Sequence, residues 1–466
     1  MRAYTKQLSK TPWAPLIMGA ALMLGACTSP DISLEPNIQL NPSFSTGGDQ
    51  PITDHWWEEL ETPELSAHIE AALDTNLSIE AAWQRLKAAE ALAKRSEASR
   101  RIDVDGDLSA RYRETDASDG AITGNRNLAA RYEIDFWGRI EAEVEAQRLQ
   151  SQVAFEDAET LTLTISSEVA LAWLSLTESQ LRKRLLENQL GINENIEKIL
   201  LARFSSGQID SADVLRQRQL IESTKQQLIG AEERIQLSYN RLQVLKGASP
   251  GAPDADDALS TFPELPPLPD PGVPSELIQK RPDVRAAYYE LLSDDAALAS
   301  AVADQYPRFD LSASLSSNSS SLAGLFETWT ATLIGQVSSQ VYDGGLRKSE
   351  IDRRAANVSE KVALYGQTIL EACQEVEDAL ISEQSQKLVF ESLKRELVLN
   401  EQTYGQLRSR YLNGASDYLS VLTNLRSGQQ LQRDILSAQL DLLSNRVSLY
   451  RALSGGLDLE RMKVEG

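Results

Sequence analysis

Reactive side chains are scarce in this sequence. Histidine occurs twice, as His55 and His68, and cysteine twice, as Cys27 and Cys373. Neither histidine stands in a metal-ligand spacing, so no metal site is expected. There is no Cys-x-x-Cys, no Gly-x-Ser-x-Gly and no glycine-rich phosphate cradle, which leaves no basis for an enzyme or a cofactor. His55 beside Trp56-Trp57 reads as a packing residue, and Cys373, within helical sequence, as a small core residue. Positive charge is also short: the formal net charge is −22, which argues against nucleic acid as a partner. After the first 26 residues no long apolar run follows. If the chain crosses a membrane, it does so with strands.

What the chain does have, it has twice. Arg203-Phe204-Ser205-Ser206-Gly207 returns about 207 residues on as Arg410-Tyr411-Leu412-Asn413-Gly414. Asp210 returns as Asp417, Val214-Leu215 as Val421-Leu422, and Gly138 as Gly345. Solenoid repeats run ~20–50 residues, so one period of this size is a duplicated half-protein instead. The expected division is a first repeat over 63–248, a proline-rich linker over 249–274, a second repeat over 275–456 and a tail over 457–466.

The start has the features of a secretory signal over 1–26. Arg2, Lys6 and Lys10 precede the apolar stretch Ala14 to Leu24, which is shorter than the ~20 residues of a spanning helix. It ends in Leu24-Gly25-Ala26-Cys27, which resembles the lipobox of bacterial lipoproteins and implies an acylated Cys27 as the first mature residue. Thr28 follows, where aspartate would mark inner-membrane retention, so an outer-membrane anchor is expected. Removing the three basic residues of the signal takes the net charge from −22 to −25. Residues 27–62 are expected to be a lipid-anchored linker.

Four segments alternate with a period of two. In the first, about 102–113, Ile102, Val104, Leu108 and Tyr112 alternate with Asp103, Asp105, Asp107 and Arg111. In the second, about 126–137, Leu128, Tyr132, Ile134 and Phe136 alternate with Arg131, Glu133 and Asp135. The third and fourth, about 308–317 and 328–342, include Leu311 and Leu333 on their apolar faces. Glu114 to Gly124 and Ser317 to Glu327 are expected as the loops between them. Each segment has about the 9–11 residues of a tilted transmembrane strand. Hairpins packed on a soluble core alternate in the same way. In a bilayer, four strands close only when several chains share a barrel, because open sheet edges are forbidden there. Three chains give twelve. Ile102, Val104, Leu108, Tyr112, Tyr132, Ile134, Leu311 and Leu333 are then expected toward lipid, and Asp103, Asp105, Asp107, Arg111 and Arg131 toward the lumen.

Between Gly138 and Phe204 there is no proline, and Gly191 is the one expected interruption of a helix. Leu161, Ile165, Val169, Ala172 and Leu176 recur with helical spacing. Leu346 to Tyr411 has the same length. Some 66 residues at ~1.5 Å each make a rod of roughly 100 Å. A shorter helix follows each rod, after a turn holding Gly207 or Gly414. Eight prolines between Ser249 and Pro274 exclude regular structure and read as an extended connector.

With these pieces in order, the sequence resembles the outer-membrane efflux proteins. These are TolC-like channels, and the likeness is greatest to the lipoprotein branch, often described as NodT-type, that serves drug-efflux pumps. The matching residues are Asp54-His55-Trp56-Trp57, Tyr132-Glu133-Ile134-Asp135-Phe136-Trp137-Gly138-Arg139, Lys280-Arg281-Pro282-Asp283-Val284-Arg285-Ala286-Ala287 and Tyr342-Asp343-Gly344-Gly345, with the two hairpin tips. The resemblance implies a mixed α and β fold with four transmembrane strands and long helical hairpins per chain. It implies a homotrimer whose twelve-stranded barrel in the outer-membrane lipid continues into a periplasmic α-barrel. It also implies a periplasmic adaptor and an inner-membrane pump, proton-driven, as partners, with small toxic compounds as cargo. Protein export and metal efflux are the alternatives within channels. Met462 is the one methionine left after the signal, which disfavours a thioether-lined copper or silver path. A coiled-coil lipoprotein is the rival outside channels, and it has no use for alternating strands.

For the tips, Gly207 and Gly414 with Val214, Leu215, Val421 and Leu422 are expected to form the adaptor-docking surface. The alternative is that the glycines only end helices. The family's aspartate ring at the periplasmic gate implies Asp417, with Tyr411 and Arg410 beside it; Asp417 as a helix cap is the alternative. Ser420 stands where some relatives have an acid, whereas the first tip has Asp213. Mass spectrometry of the mature protein should find acyl chains on Cys27, and an unmodified Cys27 or cleavage elsewhere would remove the anchor.

Overall fold

A computed structural model describes residues 32–53, 55–116, 118–251, 261–319 and 328–456. The signal, Cys27 and the tail expected over 457–466 lie outside these. One order of elements occurs twice. Helices α1 (Pro63–Thr75) and α2 (Leu77–Ala98) lead to strands β1 (Asp103–Thr115) and β2 (Ser118–Ile134), then to α3 (Arg139–Ser205) and α4 (Ser211–Leu245). The second pass is α5 (Pro274–Lys280), α6 (Pro282–Ala303), β3 (Arg308–Ser319), β4 (Thr330–Ser338), α7 (Leu346–Leu412) and α8 (Tyr418–Leu453). Two compact units result. One holds the strands with residues 294–360, and the other holds most of the helices.

In the strand unit, the sheet has the order β1-β2-β3-β4 and is antiparallel throughout. Several expected boundaries need correction. Glu114 and Thr115 belong to β1, and Ser118 to Gly124 belong to β2, so most of the expected first loop is strand. β3 runs on to Ser319, and residues 320–327 of the expected second loop lie outside the described residues. β4 stops at Ser338, before Val341 and Tyr342. Loop composition was misleading here because backbone pairing tolerates serine, glycine and asparagine when a partner strand supplies the hydrogen bonds.

The helical unit carries the long rods. α3 and α7 have 67 residues each. Gly191, expected to interrupt α3, lies within continuous helix. A glycine costs only ~1 kcal/mol relative to alanine in a helix interior, too little to break a rod anchored on both sides. The threonines of α3 are accommodated by back-bonding: Thr160, Thr162 and Thr164 each donate to the carbonyl four residues earlier, at 2.7–2.9 Å. One stretch of α3 is long and apolar enough to cross a membrane by composition, but it is mostly buried within the protein.

The largest core joins Trp56, Trp57, Leu65 and Ile69 to Val169, Trp173, Leu174, Leu242, Val447 and Tyr450. Trp56 and Trp57 lie on a short 3-10 turn, Trp56–Leu60, so this end of the expected linker over 27–62 is packed core. Each side chain of that size removes ~150–250 Å² from water, a transfer gain of ~4–6 kcal/mol at ~25 cal/mol/Å². His55 stacks on Trp57 with ring centroids 5.0 Å apart. Asn76 caps α2, accepting from Ser78 and Ile79, and its amide donates to the Leu245 carbonyl at 2.7 Å. Gly247, just past α4, has φ +68°, and a Cβ there would sit 2.3 Å from the Thr75 carbonyl oxygen.

The chain around the proline connector is held by one buried arginine. Arg446 of α8 makes a bidentate pair with Glu383 of α7 at 2.8 and 2.6 Å. Its remaining nitrogen donates to the Pro266 and Pro267 carbonyls at 2.6 and 2.8 Å. The segment after residue 31 runs beside the connector, with Gly48 donating to Pro269 and Asp270 to Gln50. Ile38, Leu40, Phe44 and Ile52 pack on a second core, where Cys373 is half-buried and burial pushes its thiol pKa up. Both charges of the Arg446–Glu383 pair are buried, so removing one strands the other. Glu383→Gln should cost on the order of 3–5 kcal/mol, read as a lowered thermal transition, and Glu383→Gln with Arg446→Met should recover much of it.

Candidate functional site

The sheet register decides which strand residues share a face. Directly opposed residues point to the same side. On one side lie the rows Val104–Ala130–Ala313–Leu333, Tyr132–Leu311–Gly335 and Ile134–Phe309–Val337. Their apolar side chains are open: Leu108 is 77% exposed and Leu333 73%. On the other side lie Asp103–Arg131–Ser312, Asp105–Ala129–Ser314 and Asp107–Asn127–Ser316, with Arg111 opposite Thr123. Arg131 pairs with Asp105 at 2.8 Å, and Asn125 donates to Asn318 at 2.7 Å. The five residues expected on the polar face therefore come together there. Several members break the pattern, among them Glu114, which accepts from Tyr112 on the apolar side, and Ser317 on the same side. Ile334 stands opposite Ser312 on the polar side, and Arg126 stands opposite Leu108 on the apolar side. Where the strands give way to helix, Trp137 stacks on Tyr306 at 4.7 Å and donates its indole N–H to the Pro307 carbonyl.

At the hairpin tips, both glycines end helices in a left-handed conformation, Gly207 at φ +73° and Gly414 at φ +76°. Each tip closes with the same pair of backbone bonds. Gly207 donates to Phe204 and Gln208 to Arg203; Gly414 donates to Tyr411 and Ala415 to Arg410. This is a Schellman-type stop, a conformation that side chains with a Cβ resist. Asp210 and Asp417 then cap the next helices, Asp210 accepting from Ala212 and Asp417 from the Ser420 N–H at 2.9 Å and its hydroxyl at 2.6 Å. Ser420, which departs from the acidic pattern, is thus the partner of Asp417.

The docking set separates. Val214, Val421 and Leu422 are 4–5% exposed inside a tip core with Leu200, Leu220 and Tyr418, whereas Leu215 is 61% exposed. Three of the four apolar residues expected at the surface hold the tip together instead. The sequence copies cannot be equivalent, because Tyr418 occupies the position of Ser211 in the first half and its ring fills the core. Arg203 lies over the Tyr411 ring at 4.9 Å, and Tyr411 packs against Tyr418 at 5.6 Å. The Tyr411 hydroxyl and one Arg203 nitrogen are buried without a hydrogen-bond partner. Arg410 is exposed.

A polar layer behind the tips was not legible in the sequence. Tyr418 donates to Gln217 at 2.5 Å, and Gln217 to the Asn193 carbonyl at 2.7 Å. Asn193 and Gln429 pair through their amides at 2.9 Å, and Arg433 donates to Gln189 at 2.6 Å. Burial, and then Arg182 nearby, lowers the Arg433 pKa; burial, and then Tyr404 and Tyr411, raises that of Tyr418. Polar residues at helical spacing read as a solvated face, and no local pattern marks this one as interior.

The caps carry a pH signature. Hydrogen bonds from Ser420 hold the Asp417 carboxyl below the usual carboxylate range, and the Ala212 N–H, then Ser211, does the same for Asp210. A depressed carboxylate contributes stability above its unfolded pKa and loses it as pH falls through the folded one. Tip amides should therefore lose exchange protection, relative to intrinsic rates, only below the usual carboxylate range. Asp417→Asn should flatten that dependence at the second tip.

Comparison with known proteins accords with these surfaces. The family described as "Outer membrane efflux protein" matches residues 68–248 and 273–455, one match for each pass of the fold. The pyoverdine export outer membrane protein OpmQ of Pseudomonas aeruginosa is 28% identical, over 96% of this chain and 97% of its own length. The toluene efflux pump outer membrane protein TtgI of Pseudomonas putida is 29% identical, over 95% of this chain and 98% of its own length. The solved outer-membrane channel OprN superposes with a TM-score of 0.85 at 23% identity, covering 92% of this chain and 99% of that one. The chain belongs to the outer membrane efflux protein family, as an outer-membrane channel that extends into the periplasm and not as an enzyme.

Proposed function

We propose that three copies of this chain close one twelve-stranded barrel and pass small organic compounds outward, handed on by a periplasmic adaptor and a proton-driven inner-membrane pump. The observation that carries this reading is the four-stranded sheet with β1 and β4 at its edges and opposite apolar and polar faces. Each edge strand presents unpaired backbone groups, and each such group costs several kcal/mol in hydrocarbon. Pairing β4 of one copy with β1 of the next satisfies them. The apolar rows then meet lipid, and Asp103, Asp105, Asp107, Arg111 and Arg131 line the lumen. A lipid on Cys27 tethers the assembly to the membrane, with the barrel itself as the main anchor. Small organic cargo is supported by the relatives named for toluene and pyoverdine.

The tips serve two roles in this reading. Exposed Leu215 and the glycine turns at 207 and 414 meet the adaptor, with Val214, Val421 and Leu422 as the core beneath. Three Asp417 carboxylates around one axis form a cation-attracting ring, exposed Arg410 finds a partner on a neighbouring copy, and Tyr411 holds the tip from within. Capping and gating use the same carboxylate, one oxygen toward Ser420 and the charge toward the axis.

Two measurements test this. Leu333→Lys, in the central row opposite Ala313, should destabilise the folded trimer by the ~2–4 kcal/mol of a mid-barrel lipid-facing lysine, and Asp107→Lys should cost far less; equal tolerance would overturn the barrel. In tip variants, Gly207→Trp or Gly414→Trp should abolish adaptor crosslinking with trimers intact. Asp417→Ala channels in planar bilayers should lose cation selectivity and open more readily. Unchanged selectivity with reduced thermal stability would leave Asp417 as a cap alone.

A further inference from the structure

The polar side of the sheet is ordered by charge along its strands. β1 follows α2 and β2 leads into α3, so the end at Asp103 and Arg131 is the one joined to helices. There the rows Asp103–Arg131–Ser312, Asp105–Ala129–Ser314 and Asp107–Asn127–Ser316 set three carboxylates against one guanidinium, which is paired with Asp105. Glu133 and Asp310, opposite each other, extend the acidic end, with Glu133 held by Arg139. The next row out, Ser109–Asn125–Asn318, is neutral. Beyond it the sign changes. Arg111 stands opposite Thr123 and Arg113 opposite Ala121, both uncharged. The two arginines are exposed, and Arg111 opens on a concavity of ≈ 590 Å³ shared with Ser109, Asn125 and Asn318. Asp116 and Asp119 lie further out, toward the hairpin turn, and Glu114 lies on the apolar side with Tyr112. The basic stretch is therefore centred on Arg111.

Spacing keeps the two stretches apart. Asp105 and Arg111 lie ~20 Å from each other along β1 at ~3.4 Å per residue, or ~16 Å along a barrel axis at a tilt of ~40°. The screening length at physiological ionic strength is ~8 Å. Each stretch therefore sets its own local potential instead of cancelling the other.

We propose that Arg111 with Arg113, and the aspartates of β1, form two oppositely charged belts in series that select cargo without net charge. This rests on the barrel closure proposed above, which brings three copies of each belt around one axis. A charged wall enriches solutes of the opposite sign and excludes those of its own. Along this passage a cation is excluded at the arginine belt and an anion at the aspartate belt. Neutral and zwitterionic compounds meet neither barrier. A wall of one sign throughout would instead favour ions of the other sign, so Arg111 and Arg113 are the specificity-determining residues.

The test reads the local potential with thiol reagents on full-length trimers in liposomes. Single cysteines are introduced as Asn127→Cys, opposite Asp107, or Thr123→Cys, opposite Arg111, in a Cys373→Ala background that also supplies the blank. Each is treated with methanethiosulfonates bearing a trimethylammonium, a sulfonate or no charge. Dividing each charged rate by the neutral rate, and by the same quotient for a free thiol, cancels the thiolate fraction. At Asn127→Cys the cation should be favoured over the anion about tenfold, and at Thr123→Cys the order should reverse. Arg111→Gln with Arg113→Gln should abolish the reversal and leave Asn127→Cys unchanged. The same variant should raise the release of a cationic dye, relative to an uncharged one of equal size, several-fold. If that variant fails to assemble, salt supplies the second measurement. Raising it from ~0.01 to ~1 M shortens the screening length from ~30 to ~3 Å and should bring every quotient to that of the free thiol. The same sign preference at both positions, quotients indifferent to salt, or an unchanged dye ratio would overturn the proposal. Leu333→Cys separates it from the barrel reading. Silence there to both charged reagents keeps that face in lipid, so a missing reversal would count against the belts alone. Leu333→Cys as reactive as Asn127→Cys would overturn both.

Discussion

Backbone hydrogen bonding at the edges of the sheet is the constraint on which the rest depends. Water can satisfy the free edges of β1 and β4, and hydrocarbon cannot. Once one face of the sheet is apolar and open, as Leu108 and Leu333 are, the chain needs both a membrane and further strands. Closure by identical copies meets the need without new sequence. Under the proposed closure the carboxylates and arginines that share the opposite face by register would form the wall of a conduit.

Duplication makes such a structure economical, yet its halves have diverged at the tips. The two rods have the same length and the two tips the same glycine stop. Against that background the second tip carries Tyr418 and Ser420 where the first has Ser211 and Asp213. One difference moves an aromatic ring into the tip core and the other gives Asp417 its partner. Between the tip core and the large core, the layer of Asn193, Gln217, Gln429 and Arg433 consists of groups that must find each other when buried. A slip of one helix along another would strand several at once, so the layer penalises wrong registers more than it stabilises the right one.

Much of this was legible because it rests on local rules. Period-two alternation gave the strands, the absence of proline gave the rods, and the repeated Gly207 and Gly414 gave the turns. The resemblance supplied the family, trimer and partners, which no periodicity shows. Errors arose where local composition competes with distant pairing. Serine and glycine looked like loop at Ser118 to Gly124 until a facing strand supplied their hydrogen bonds. Gly191 looked like a breaker although two cores hold the helix through it. Val214 and Leu215 looked alike until burial divided them.

The sequence alone therefore determined the elements, their order and their duplication, since each follows from φ/ψ preferences and from side-chain periodicity along the chain. It also determined which residues alternate on each strand. Only the tertiary structure decided which residues of different strands share a row, which placed Arg126 on the apolar side. It alone decided that Arg446 joins Glu383 to the proline connector, and that Tyr418 reaches Gln217 across 201 positions of sequence. The physical reason is that register and burial are set by packing between distant segments. Their energies depend on partners that no local window of sequence contains.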